Sequence, residues 1–115
     1  GMDKPIFKLV TLPEANAFLE SLAPDVLRKV FYNIRKVAGG VKDSGLFKKL
    51  GDSDIWEFRT SWQGMAYRLF AFWDKDGETL IVATHGLVKK TQKTPKSEIR
   101  HAQAIRKEYL DTKDK

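Results

Sequence analysis

The sequence predicts an α+β domain: an N-terminal strand and a helical hairpin packed on a small twisted antiparallel sheet, with a closing C-terminal helix. Three observations carry this expectation. Apolar residues recur at helical spacing from Ala15 to Val37. From about Phe47 the period changes to two, as in strands with one face buried. The strands so defined are joined by short turns, so they must run antiparallel to one another.

The first strand is read over Ile6 to Val10, after Pro5. Thr11 and Glu14 have the spacing of a capping box, in which each side chain satisfies a free backbone N–H. The helix that follows places Ala15, Phe18, Leu19 and Leu22 on one face. Pro24 suits the first turn of a second helix, whose apolar stripe runs through Val26, Leu27, Val30, Phe31, Ile34 and Val37. Arg28, Lys29, Asn33, Arg35 and Lys36 occupy its other side, and Gly39-Gly40 ends it. Ile55 to Trp62 alternates, with Trp56, Phe58, Thr60 and Trp62 on one face and Glu57, Arg59 and Ser61 on the other. Gln63-Gly64 turns the chain into a strand over Met65 to Trp73, and Lys75-Asp76-Gly77 turns it again. Leu80 to Val88 is apolar on both faces, as in a central strand. Thr94-Pro95 opens the last helix, with Ile99, Ala102, Ile105 and Tyr109 inward. With two helices covering one face, the face carrying Glu57 and Arg59 is expected to be free for binding.

At 115 residues the chain is one small domain, expected over residues 2–111 with a charged tail at 112–115 that frays from Asp111. Gly1, ahead of Met2, is set aside as a cloning remnant. The absence of Cys excludes a disulfide scaffold, a thiolate nucleophile and a Cys-type zinc site. No apolar run approaches a membrane span and no signal-peptide core precedes the domain, so the cytosol is the expected compartment. Twenty-one Lys+Arg against fifteen Asp+Glu give +6, a balance that favours nucleic acid, an acidic protein or an anionic surface. The excess is concentrated at Lys89, Lys90, Lys93 and Lys96, with no acidic residue among them.

Familiar catalytic constellations are missing from the sequence. The glycines sit at turns rather than in a phosphate loop, and no Ser occupies a nucleophile elbow. His85 and His101 lie far apart, without the spacing or nearby carboxylates of a zinc site. Asp52 and Asp54 flank a turn. What remains is a set of cations near strand ends: Arg59, Arg68, Lys89, Lys90 and Lys93. Arg clamps phosphate bidentately and Lys supplies a mobile charge, so this set suits an RNA backbone. It also suits the extra negative charge that forms when a ribose 2′-hydroxyl attacks the adjacent phosphate, a reaction needing no metal or cofactor. Each residue has a plainer alternative: Arg59 as a surface residue, Arg68 as an internally paired one, the lysines as a solvated loop, and His85 as a packed, hydrogen-bonded histidine. The tryptophans are read as core, with Trp62 near enough to a turn to stack a base.

The strings Lys48-Lys49-Leu50-Gly51, Ile55-Trp56-Glu57-Phe58-Arg59 and Tyr67-Arg68-Leu69-Phe70 resemble the RelE/ParE superfamily of bacterial toxins. His85-Gly86-Leu87-Val88-Lys89-Lys90-Thr91-Gln92-Lys93-Thr94-Pro95 is similar to its phage-derived, HigB-like branch. The resemblance implies a RelE-like fold and the toxin of a type II toxin–antitoxin system. It implies a metal-independent endoribonuclease that cuts mRNA on the ribosome, restrained by an antitoxin with a helix-turn-helix DNA-binding portion. Carried over to this sequence, Arg68, Lys90, Lys93 and His85 stand as catalytic candidates, and Lys48, Lys49, Arg59, Lys89 and Lys96 as RNA-binding ones. Some relatives have an aromatic or histidine near the C-terminus that helps proton transfer or stacks the substrate base; here Tyr109 is read on the inward face of the last helix, with a structural role as its plainer alternative. The superfamily also holds toxins that poison DNA gyrase, so a non-enzymatic inhibitor and an inactive prophage RNA-binding module remain as alternatives.

Overall fold

The computed structural model describes residues 4–113; Gly1 and the last two residues of the expected tail lie outside them. The chain runs β1 (Lys8–Thr11), α1 (Pro13–Glu20), α2 (Pro24–Ala38), β2 (Phe47–Lys49), β3 (Trp56–Trp62), β4 (Met65–Asp74), β5 (Leu80–Lys89) and α3 (Lys96–Lys113). The five strands form one sheet in the order β1-β5-β4-β3-β2. The α+β architecture with helical hairpin, sheet and closing helix is the one expected from the periodicity.

The sheet is mixed rather than wholly antiparallel. β2 to β5 form an antiparallel meander, but β1 pairs with β5 in parallel, Leu9 opposite Ile81. Short turns dictate direction only between consecutive strands, and β1 is separated from β5 by everything else in the fold. The capping box does not form. Thr11 belongs to β1 and donates its hydroxyl to Asn16 Oδ1, while α1 starts behind Leu12 with Pro13 in its first turn. Glu14 instead reaches His101 on α3.

The hairpin face of the sheet buries Val26, Val30, Ile34 and Val37 of α2 against Phe58, Leu69, Ala71 and Ile81. The opposite face is not free, as the sequence suggested. α3 lies across it and closes a second cluster of Leu50, Ile55, Phe70, Phe72, Val82 and Ala102. The inward face of α3 is shallow because Ala102 is small, and that lets the helix sit close to the strands. α3 also continues through Lys113 instead of fraying from Asp111.

The end of α3 is tied to the sheet at Asp74. Tyr109 Oη donates to its carboxylate at 2.6 Å and Lys113 Nζ at 2.7 Å, so Tyr109 is occupied structurally. These two hydrogen bonds hold the Asp74 carboxyl down to about 2. A carboxyl depressed in the folded state stabilises the fold above its unfolded value and loses that contribution as pH falls toward the folded one. Solvent at exposed Lys113 screens the pair, so the contribution is smaller than the shift alone would give. Between about pH 4 and pH 2 the protein should lose this stability, and Asp74→Asn should flatten that part of the profile. Urea midpoints across the window test it; an unchanged slope in the variant removes Asp74 from the account.

Two local features of β5 set up the functional face. Thr84 is a β-bulge: Phe70 pairs with His85 but Ala71 pairs with Ala83, leaving Thr84 unmatched, its hydroxyl donating to Phe70 O. The extra residue reverses the alternation, so His85, Leu87 and Lys89 face α3 together with Arg68. Gly86 then faces α1, where an added Cβ would lie 2.3 Å from the Phe18 ring. The His85-Gly86 pair is thus one bulged crossing point, with glycine required by the closeness of α1.

Candidate functional site

Cross-strand register brings the arginines together. Arg59 of β3 stands directly opposite Arg68 of β4, two like charges that would repel if left alone. Glu57, two residues before Arg59 on the same face, supplies the counter-charge. Its Oε1 lies 3.1 Å from Arg59 Nη1 and 3.8 Å from Arg68 Nε. Both Glu57 and Arg68 are 1% exposed, so this is a buried cluster and not a solvated face. Arg68 also donates from Nη1 to Tyr67 O, and its Nε has no hydrogen-bond partner among the described residues. Burial lowers the Arg68 pKa from its ordinary value, Arg59 adds to that effect, and Glu57 opposes it.

The segment after β5 closes over this cluster. Gln92 Oε1 accepts from Arg68 Nη2 at 2.6 Å and from Arg59 Nη2 at 3.5 Å, bridging both guanidinium groups. Thr94 Oγ1 donates to the other Glu57 oxygen at 2.7 Å. Lys89 is half-buried on the same face and donates to Lys93 O. Burial lowers the Lys89 pKa, Arg68 adds to that effect and Arg59 less so, while Glu57 opposes it. A pocket of about 220 Å³ opens beside these groups, lined by Lys48, Glu57, Arg59, Gln92, Lys93 and Thr94. The two guanidinium groups thus share one oxygen acceptor, an arrangement that suits planar recognition of an oxyanion.

The remaining candidates divide. Lys48 faces the cleft, since it pairs with Glu57, whereas Lys49 pairs with Trp56 on the hairpin side. Lys90 and Lys96 are exposed at the end of β5 and the start of α3, outside the hydrogen-bonded cluster. His85 is buried under α3, stacked on Phe70 at 4.8 Å. Its ring contacts Thr84 Oγ1 through Nδ1 and Glu98 Oε1 through Nε2, each at 3.0 Å. Burial lowers its pKa despite the Glu98 hydrogen bond. Contrary to their separation in sequence, His85 and His101 touch edge to face at 4.6 Å, with Glu98 and Glu14 beside them. Trp62 packs against the core of the hairpin face, its indole N–H enclosed, while Trp56 and Trp73 join the Phe47 aromatic cluster.

Glu57, Gln92 and Thr94 were not singled out by sequence reasoning as site residues. A signal for Glu57 existed: an acid alternating with Arg59 on a strand face whose neighbouring strand also offers an Arg. Nothing local marked Gln92 or Thr94, because their partners lie 24 and 37 residues away.

A family model described as phage-derived protein Gp49-like (DUF891) matches residues 17–107, from α1 to within α3. Comparison with curated proteins gives no match. Among the described residues no helix is long and apolar enough to cross a membrane.

Proposed function

This chain belongs to the phage-derived Gp49-like family, a RelE/toxin-like family, and from that premise we propose that it is the toxin of a type II toxin–antitoxin pair, acting as a metal-independent endoribonuclease on ribosome-bound mRNA. The observation that supports this most is the Arg59–Arg68 pair, held side by side by Glu57 and bridged by a neutral amide. An entering phosphate replaces Gln92 on the two guanidinium groups, putting an ionised acceptor where the amide offered a neutral one. In this reading the ribose 2′-oxygen attacks phosphorus, its proton passing to solvent water, and the bond to the 5′-oxygen breaks, leaving a 2′,3′-cyclic phosphate and a 5′-hydroxyl. The two arginines stabilise the additional charge on the phosphate oxygens, an effect worth on the order of 100-fold per donor in comparable sites.

Lys89 is the side chain best placed to carry a proton to the leaving oxygen. Its pKa is lowered toward the working range by burial and by the arginines beside it. His85 has both ring nitrogens engaged beneath α3 and acts in this reading by holding the helix and β5 together. Lys48 and Lys93 guide the chain into the cleft, with Lys90 and Lys96 adding attraction at its margin. A cognate antitoxin, HigB-like in gene order and carrying a helix-turn-helix portion, restrains the protein.

Mapping transcript 5′ ends shortly after induction in a bacterial host tests the proposal. New ends inside translated frames, lost when translation is blocked, are expected. Arrested growth with intact transcripts would overturn the nuclease and favour a gyrase inhibitor; normal growth with intact transcripts would leave a binding module.

A further inference from the structure

The cleft is not the molecule's only concentration of positive charge. Between Asp25 and Asp43 the chain carries Arg28, Lys29, Arg35, Lys36 and Lys42 and no acidic residue. Four of these lie on α2, whose buried side is Val26, Val30, Asn33, Ile34 and Val37. Positions 28, 29, 32, 35 and 36 therefore share the outward face. Arg28 and Arg35 are exposed, and none of the five cations takes part in an ion pair among the described residues. At the centre is Tyr32, 48% exposed, with Lys29 Nζ 5.0 Å and Lys36 Nζ 5.1 Å from its ring centroid.

We infer that the outward face of α2 is a second anion-binding surface, one that docks on the phosphate backbone of double-stranded RNA. Three features select that occupant. The cations are strung along about 12 Å of rigid helix, a fixed array suited to the fixed phosphates of a duplex. The Tyr32 ring is occupied by two ammonium groups, so it positions the lysines and is not the open platform on which single-stranded bases stack. From Arg28 to Lys42 the patch also carries five cations with no acidic residue among them, a single-sign field that matches a polyanion. Asn33 Nδ2 donates to Thr60 Oγ1 at 3.1 Å, fixing α2 to the hairpin face of β3. The α2 surface and the Arg59–Arg68 cleft therefore lie on opposite sides of the sheet and can be altered separately. This inference stands whether or not the cleft cuts RNA.

Fluorescence anisotropy with a labelled RNA duplex of about 16 base pairs, at salt from about 50 to about 200 mM, tests it. Lys29→Gln/Arg35→Gln/Lys36→Gln should bind the duplex at least about 10-fold more weakly than the parent and lower the log–log salt slope by about 2 to 3. Arg28→Gln/Arg35→Gln alters only exposed side chains and should give a smaller loss in the same direction, with an unchanged circular dichroism melt. An Arg68→Lys control should bind the duplex as the parent does, so duplex binding separates failure of this inference from failure of the cleft reading. Equal duplex binding by parent and variants would overturn the inference. So would loss of duplex binding in Arg68→Lys instead, or binding of a polyglutamate peptide at α2 where the duplex fails to bind.

Discussion

Arg68→Lys should reduce transcript cleavage by about 100-fold while the protein remains folded. Lysine keeps the positive charge near Glu57 but cannot reproduce a planar fork that reaches Tyr67 O and Gln92 Oε1 together. The charge that balances the buried carboxylate survives, and the fork proposed to grip phosphate oxygens is lost. Arg68→Ala is a harsher change. It removes one of two cations from a carboxylate 1% exposed, and a penalty of about 3 kcal/mol is expected, the lower end for breaking a buried pair because Arg59 stays. Loss of toxicity in the alanine variant would therefore mix misfolding with chemistry, and only the lysine variant separates them. Cleavage rates on translating ribosomes, with urea melts of the same preparations, decide the matter. Parental cleavage by Arg68→Lys would remove Arg68 from the mechanism.

Glu57→Ala should be among the most destabilising single changes in the chain, costing about 3–5 kcal/mol. Arg59 and Arg68 would face each other across β3 and β4 with only the Gln92 amide between them, and Thr94 would lose its acceptor. Glu57→Gln keeps the shape and should fall in between. A further signature distinguishes counter-charge from packing. Millimolar inorganic phosphate should raise the thermal midpoint of Glu57→Gln by more than it raises that of the parent, because an anion can take up the vacated role between the arginines. If Glu57→Ala melts with the parent, or phosphate stabilises both equally, the carboxylate is not what holds the pair.

Much of this arrangement is legible in the sequence, and the part that is not has a common cause. The helical hairpin follows from the apolar stripe Val26–Val30–Ile34–Val37, because helical spacing is a local property that one partner surface suffices to satisfy. Gln63-Gly64 marks the β3–β4 turn for a local reason too: both adopt positive φ, 48° and 79°. Arg59 and Arg68 become neighbours once that turn is placed, since a two-residue hairpin dictates register. The capping box was a local pattern overruled by a tertiary one, when β1 extended to Thr11 by pairing with β5. The free sheet face failed as an expectation because an apolar strip as modest as that of α3 buries little by itself. It closes a core only where Phe70, Phe72 and Val82 already wait beneath it.

The amino-acid sequence by itself determined the α+β class, the helical hairpin, the meander and which residue types could serve as cations. All of these depend on residues close in the chain or on residue type alone. Tertiary structure decided which of those cations lie together. A single bulge at Thr84 turned Lys89 toward the arginines, and strand register sent Lys48 to the cleft and Lys49 away from it. The buried Glu57, the Gln92 bridge and the His85–His101 contact likewise exist only in the folded chain. Side-chain direction in a sheet inverts with every one-residue shift, so no local signal carries it across a bulge or between distant strands.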